Sequence, residues 1–379
     1  MMSVEAISEP VETLLKQVFR GEAHDWPEED ISFASFLEAI NFHGMTPVFW
    51  YWINQHGFCK KWPESLLSEI KNIAMQEVAS DMLAQSELKN ILKSLDNIGI
   101  HPVLIKGTPL SFTLYPAPGL RPRCDTDFLI SKNDFDATSK LMIQLGYHAL
   151  YDADVVFLSS QKTFIKEDKS KVSHAYDVHW RISNASRLFT EALNYSDLYK
   201  DALEIAMLGD NAKTLHYTDA LLLACFHRAV HFSHEGDRLI WLYDIHLLMN
   251  ALDEHEFDLF YQKAKKIEIV TICADAILTA QDWFSTSITE SRMKRLITLP
   301  EIEASTVYLT SGRQIGIKNH ALLELKELSS MRDKFHYLFE KIFPPVNYML
   351  WRYDTKRKYL LPFLYLYRFI YGIYIFVRR

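Results

Sequence analysis

Apolar residues recur at helical spacing through the first hundred positions. Val11, Leu14, Leu15 and Val18 fall on one helix face, and Phe33, Phe36, Leu37 and Ile40 on another. Pro47 and Pro63 punctuate this region, and Ile70–Leu95 is a long amphipathic pattern that Gly99 ends. The period then changes. His101–Ile105 is a short β-rich run, after which Thr108 and Pro109, a good N-cap and a good first helical residue, open a short helix. A Pro-rich loop, Tyr115–Arg123, leads into a strand at Cys124–Ile130. Asn133 or Asp134 caps a helix running to about Leu145, and Gly146 ends it. Tyr147–Leu150 and Val155–Leu158 read as strand pieces. Lys162–Lys166 and Val172–Ile182 flank a polar turn, Glu167–Lys171, and predict a hairpin. From about Arg187 the pattern is helical again, most strongly over Thr218–Phe232 and Leu239–Leu252, and no repeat at solenoid spacing is present.

The expectation is an α+β protein in which a small mixed sheet lies between helical regions. Residues 1–97 form a helical N-terminal region, 98–183 an α/β core, 184–340 a helical domain, and 341–379 a basic, aromatic helical segment. Composition adds bounds. Of 379 residues, 49% are hydrophobic and 23% charged, enough for an ordinary globular core. The formal charge of -7, from 41 basic against 48 acidic residues, argues against a protein that coats nucleic acid. Cys59, Cys124, Cys225 and Cys273 are scattered, with no C-x-x-C pair, which argues against a cysteine zinc site and fits reduced thiols in a cytoplasmic setting. The first twenty residues carry early acids and no apolar run, unlike a signal peptide.

The candidate chemistry is acidic. Asp125 and Asp127 are two apart on a predicted strand, so both carboxylates leave the same face. Neighbouring carboxylates repel, and a bound divalent cation relieves that repulsion. Asp177, in the predicted strand Tyr176–Trp180, can join them from beside. Three such carboxylates suit a two-metal site holding Mg²⁺ or Mn²⁺, in which the ions activate an attacking oxygen and stabilise departing pyrophosphate. Lys106–Gly107–Thr108 supplies the complementary half: Gly107 lets backbone approach a phosphate, Thr108 offers a hydroxyl, and Lys106, Arg121 or Arg123 can neutralise phosphate charge.

A Gly-[Ser/Thr] turn, an apolar-flanked D-x-D strand and a later strand Asp resemble the DNA polymerase β nucleotidyltransferase superfamily. More closely, L-I-K-G-T-P-L, then L-Y-P-A-P-G-L-R-P-R-C-D-T-D-F-L-I, resembles a bacterial family of uncharacterised nucleotidyltransferases. Asp177, His179, Trp180 and Arg181 match its D-x-H-W-R block, and Arg238–Ile245 its R-L-x-W-L-x-D region. Phe343–Pro344, Tyr348–Met349 and Arg352–Tyr353 match a late block. The turn is Gly-Thr where the superfamily usually has Gly-Ser, and seventeen residues separate Gly107 from Asp125. The resemblance implies a nucleotidyltransferase core and transfer of a nucleoside monophosphate from an NTP, ATP among them, to an acceptor. Asp125, Asp127 and Asp177 become metal ligands, with Asp177 also helping to activate the acceptor. The acceptor in such enzymes is a small molecule, a protein or an RNA end, and the acidity of this chain favours the first two. The rival readings are a non-catalytic nucleotide-binding or scaffold protein and a toxin-like enzyme acting on tRNA.

Four further features stay open in the sequence. His179 shares a strand face with Asp177 and either faces substrate or is a structural histidine. His227, His231 and His234, at i, i+4 and i+7, form a helical face that binds a transition metal, faces substrate through His231, or simply packs. Asp244, in an apolar helix, requires an internal partner, with Arg228 and Arg238 as the candidates. Finally, Tyr359–Val377 carries one charge, Arg368, between basic flanks. It reads as a packed helix, as a peripheral membrane contact through 352–379, or as a membrane span.

Overall fold

The computed structural model describes the chain outside residues 1–6, 23–24, 28–30, 58–61, 151–159, 169–170, 184–188, 190–191, 236, 299–302, 311–324, 326–329 and 379. The predicted strand Val155–Leu158 and Cys59 lie outside the described residues.

Four helices come first: α1 (Glu9–Phe19), α2 (Phe33–Phe42), α3 (Thr46–His56) and α4 (Glu64–Asp96). Pro10 and Pro47 sit in the first turns of α1 and α3, where a missing N–H costs nothing. After α4 the chain turns through Gly99, at φ 73°, into the mixed segment. This comprises β1 (Val103–Ile105), α5 (Gly107–Thr113), β2 (Thr126–Leu129), α6 (Phe135–Gln144), β3 (His148–Ala149), β4 (Gln161–Glu167) and β5 (Ser173–His179). Then come α7 (Tyr195–Lys200), β6 (Leu203–Glu204), β7 (Lys213–Thr214) and the helices α8 (Tyr217–Glu235), α9 (Leu239–Ala251), α10 (Glu254–Lys266), α11 (Val270–Phe284), α12 (Glu290–Ile297) and α13 (Val307–Thr310). Helices α14 (Met331–Ile342), α15 (Val346–Arg352) and α16 (Leu361–Arg378) follow.

Among the described residues the strands form one seven-stranded mixed sheet, in the order β3-β4-β5-β2-β1-β7-β6. This is the α+β architecture expected, with one addition. The two-residue strands β6 and β7 come from a stretch whose pattern reads as helical, and β7 pairs parallel with β1. Two residues are too few for a period-2 signal.

Strand alternation divides the sheet's two faces. Leu104, Phe128, Phe164, Tyr176 and Val178 bury one face in a core completed by Leu88, Ile91 and Leu95 of α4 and Met142 of α6. Val103, Ile105 and Leu129 belong to a second core, shared with the N-terminal helices and with α8, α9 and α11. The acidic residues lie on this second side, so the helical regions before and after the sheet wall its polar strip.

The C-terminal helix α16 packs one face through Tyr365 and Arg368 against the Pro344 and Lys341 carbonyls. The outward face of α16 is apolar and open to solvent. Among the described residues, no helix is long and apolar enough to cross a membrane.

Candidate active site

Register explains why the acids meet. β2 and β5 pair in parallel with Asp127 opposite Asp177, and Ile105, the last residue of β1, lies opposite Asp127 on the other side. The next residue, Lys106, therefore reaches across the strand end, and its ammonium donates to Asp127 Oδ1 at 2.5 Å. Its backbone takes φ 62° and ψ -141°, a conformation that ordinarily falls to glycine and that costs a lysine about 1–3 kcal/mol. From the other side His179 Nε2 contacts the same Asp127 oxygen at 2.8 Å. Burial alone would push the Asp127 carboxyl up, but the Lys106 ammonium and His179 outweigh it and hold the carboxyl well below the usual range. Lys106 gains correspondingly: burial opposes its charge, yet Asp127 raises its pKa above the ordinary value.

Asp177 is held differently. Thr163 lies opposite it in the antiparallel β4–β5 pair, and its hydroxyl donates to Asp177 Oδ1 at 2.6 Å. Gln161, two residues earlier on the same face, donates its amide to Oδ2 at 2.6 Å. Ligand atoms of Asp127, Asp177 and His179 all lie within 4.8 Å of one another, so this buried trio has the geometry to hold a cation. Asp125 stands just before β2, outside the trio, with its side chain exposed at the cleft mouth. Surrounding protein, then the Asp127 charge, push its carboxyl up to about 6. Thr108, buried at the start of α5, points its hydroxyl toward the Asp125 carbonyl at 3.5 Å and so ties that turn to the strand end.

The donor set fits a hard divalent cation. Two carboxylates converge with an imidazole nitrogen, a third carboxylate stands beside them, and the repulsion among the acids shows in the raised Asp125. His179 Nδ1 is buried with no hydrogen-bond partner, which leaves the tautomer free to suit whatever Nε2 meets.

These groups line a cleft of ≈ 800 Å³ between the sheet and helices α8 and α9. The basic residues around it are mostly engaged. Arg121 is committed to Asp244: Nη2 donates to Oδ2 at 2.8 Å, Nε to Oδ1 at 3.2 Å, and Tyr115 donates its hydroxyl to Oδ1 at 2.7 Å. The partner of Asp244 is thus Arg121, where the sequence pointed to Arg228 or Arg238. Arg228 instead binds Asp237 and Asp275. Arg123 turns toward α4, pairs with Asp81 at 2.8 Å and lies over the Phe112 ring. Gly107 is required where it stands, because the Arg121 guanidinium fills the space a Cβ would take. Arg238, at the N-terminus of α9, also lines the cleft. Its Nε is buried without a partner, and its guanidinium rests on the Phe42 ring.

The far wall carries His227 and His231, whose rings stack at 4.3 Å and meet Trp241 of α9 at 5.2 and 5.9 Å. Burial, then His231, depresses the His227 pKa well below the ordinary value. The side chain of His234 lies outside the described residues. Sequence reasoning missed Gln161, Thr163 and Arg238 as functional candidates. The first two show their role only through the β4–β5 register, whereas Arg238 was legible as a lone cation heading an apolar helix.

No curated protein matches the chain. Residues 29–285 match the family described as uncharacterised nucleotidyltransferase, a span that takes in the Lys106 turn, β2, β5 and the helical wall of the cleft. That span is more than half of the 379 residues, and the chain belongs to this family of nucleotidyltransferases.

Proposed function

We propose that the chain transfers a nucleoside monophosphate from an NTP to a small-molecule or protein acceptor. The acceptor oxygen bonds to the α-phosphorus, the bond from that phosphorus to the bridging oxygen breaks, and pyrophosphate leaves. The observation that carries this reading is the register that sets Asp127 against Asp177, with their oxygens and His179 within 4.8 Å. Asp125, Asp127 and Asp177 would hold Mg²⁺ or Mn²⁺, with His179 at their side. A metal held there would supply Lewis-acid stabilisation of the phosphate charge.

The chain's own residues do the rest. Gln161 and Thr163 fix both oxygens of Asp177, so that it meets the acceptor hydroxyl in one orientation and takes its proton. Lys106, whose ammonium rests on Asp127, would turn it to the triphosphate. Gly107 and Thr108 border the same phosphates. Arg238 offers a guanidinium with an unpartnered Nε, whereas Arg121 and Arg123 serve through the walls they brace. His179 orients Asp127, and His231, with Trp241, faces the acceptor or the base. Few free cations line the cleft, and Glu77 and the three aspartates face into it, which favours a small or protein acceptor over RNA.

A nucleotide-binding or scaffold protein without turnover is the second reading. It draws on the internal satisfaction of Asp127 by Lys106 and of Asp177 by Gln161 and Thr163. Calorimetry with ATP, GTP, CTP and UTP, with and without Mg²⁺, decides between them when followed by product analysis. Metal-dependent NTP binding that Asp127→Asn and Asp177→Asn abolish is the expected result. Failure of every NTP to bind folded wild type, or equal binding by the two variants, would sink the proposal.

A further inference from the structure

The chain beyond the family match carries a surface that the cleft does not use. Helix α16 has a half-buried inward face, on which the Tyr365 hydroxyl donates to the Pro344 carbonyl at 2.6 Å and the Arg368 guanidinium donates to the Lys341 carbonyl at 3.3 Å. Its outward face is apolar: Phe363, Leu366, Tyr367, Ile370, Tyr371 and Tyr374 are 48% to 69% exposed. Their spacing of i, i+3, i+4, i+7, i+8 and i+11 makes one continuous stripe. A surface helix in water shows the opposite arrangement, with its charges outward. Helix α14 repeats the inversion, with Phe335 and Phe339 67% and 51% exposed. Contiguous apolar surface of this kind marks a docking face.

Charge narrows the occupant. Residues 331–379 hold ten Lys or Arg against three Asp or Glu, in a chain whose totals are 41 and 48. Four of these cations, Arg352, Lys356, Arg357 and Lys358, are exposed immediately before the stripe begins. Tyrosines, amphipathic and half of the stripe, suit the level of lipid headgroups, and lysine is depleted from protein–protein interfaces. Among the described residues no helix is long and apolar enough to cross a bilayer, and an amphipathic helix with basic flanks suits the plane of its surface.

We propose that the α16 face docks on an anionic membrane surface, with Phe363, Leu366 and Ile370 seated among the upper acyl chains and Arg352–Lys358 on acidic headgroups. The cleft and its chemistry play no part in this inference.

The test is co-sedimentation of the full chain with vesicles of phosphatidylcholine alone and of phosphatidylcholine with about one-third phosphatidylglycerol. Binding should favour the anionic vesicles and weaken as salt rises. Phe363→Asp with Ile370→Asp should lower it by at least about ten-fold, through lost apolar insertion. Lys356→Gln, Arg357→Gln and Lys358→Gln together should cost about five-fold per charge on anionic vesicles alone. All five positions are exposed, so an unchanged melting temperature verifies the fold. Absence of binding at low salt, or equal binding by the Phe363→Asp/Ile370→Asp variant, overturns the proposal. So does a vesicle-free dimer that the same variant converts to monomer, since the face would then serve self-association.

Discussion

Replacing Gly107 by alanine sets two effects of known sign against each other. Gly107 opens α5 and is not among the left-handed glycines, so alanine fits its backbone. Alanine there would ordinarily stabilise by about 0.4–1 kcal/mol, because the unfolded chain loses freedom. The surroundings oppose it. An added Cβ would lie 2.5 Å from Arg121 Cζ and 2.9 Å from Nε, and closer still to Nη2. A guanidinium on the surface would swing aside. This one is pinned on three sides, by both oxygens of Asp244 and by the Pro122 carbonyl at 2.7 Å, and its side chain is 11% exposed. Breaking a buried pair outright costs about 3–5 kcal/mol. A partial shift keeps some of that attraction, and the propensity gain offsets a little more, so the net expectation is a loss of about 2–4 kcal/mol. Urea unfolding measures it, repeated in an Arg121→Ala/Asp244→Asn background that removes the guanidinium. There the alanine should be neutral or mildly stabilising, for a coupling of about 2–5 kcal/mol. A coupling below about 0.5 kcal/mol, the scatter expected of independent sites, would refute the argument, as would a stabilised Gly107→Ala single variant.

Two further outcomes follow from the same geometry. Thr163→Val keeps shape but removes the hydroxyl donated to Asp177, so metal affinity should drop about 10- to 100-fold while the fold persists; unaltered affinity by calorimetry would show that the contact does not position the acid. His43 is buried, accepts from the Leu239 N–H at 3.2 Å, and is lowered from 6.5 to about 4 by burial and then by Arg238. A depressed histidine disfavours the protonated fold, so its contribution is fully present above pH 6.5 and is lost as pH falls toward 4, by at most about 3 kcal/mol. Urea midpoints across that window should fall more steeply for wild type than for His43→Asn. Parallel slopes would refute the assignment, and the comparison cancels Asp125, whose raised pKa works in the opposite direction.

Much of the candidate site can be read along the chain because strands keep a period of two. A D-x-D and a D-x-H each place their members on one face, and only pairing must be supplied. The β2–β5 register supplies it, and brings Asp127, Asp177 and His179 together more closely than it does Asp125, which lies before β2 begins. What stays hidden depends on tertiary register or on which of several equal partners an ion finds. Thr163 and Gln161 are ordinary strand residues until β4 is laid beside β5. Asp244 had two arginines within sequence reach of a guess, Arg228 and Arg238, and the chain folds Arg121 onto it from 123 positions away. Helix α16 shows the converse limit. Its apolar content is plain in the sequence, but which face turns inward depends on α14 and α15, and that outcome leaves the more apolar stripe outside.

The placement of countercharges also bears on how the cleft works. On the proposed reading, acids gathered for a cation must survive before it arrives, and each of the three has a different answer here. Asp127 borrows an ammonium and an imidazole, Asp177 takes two neutral donors, and Asp125, at the mouth, retains its proton more readily than an ordinary aspartate. Neutral donors satisfy the lone pairs of Asp177 without cancelling its charge, so the attraction it offers a cation is kept. The lysine on Asp127 does cancel charge, and must therefore leave for a cation to bind. Lys106 is held there in a costly backbone conformation, in the lining of the cleft. A triphosphate offers that ammonium a stronger partner than a single carboxylate. Nucleotide and metal should accordingly bind with positive coupling, each removing a competitor of the other, whereas metal alone should bind weakly. A titration showing tight metal binding without nucleotide would place Lys106 outside this exchange.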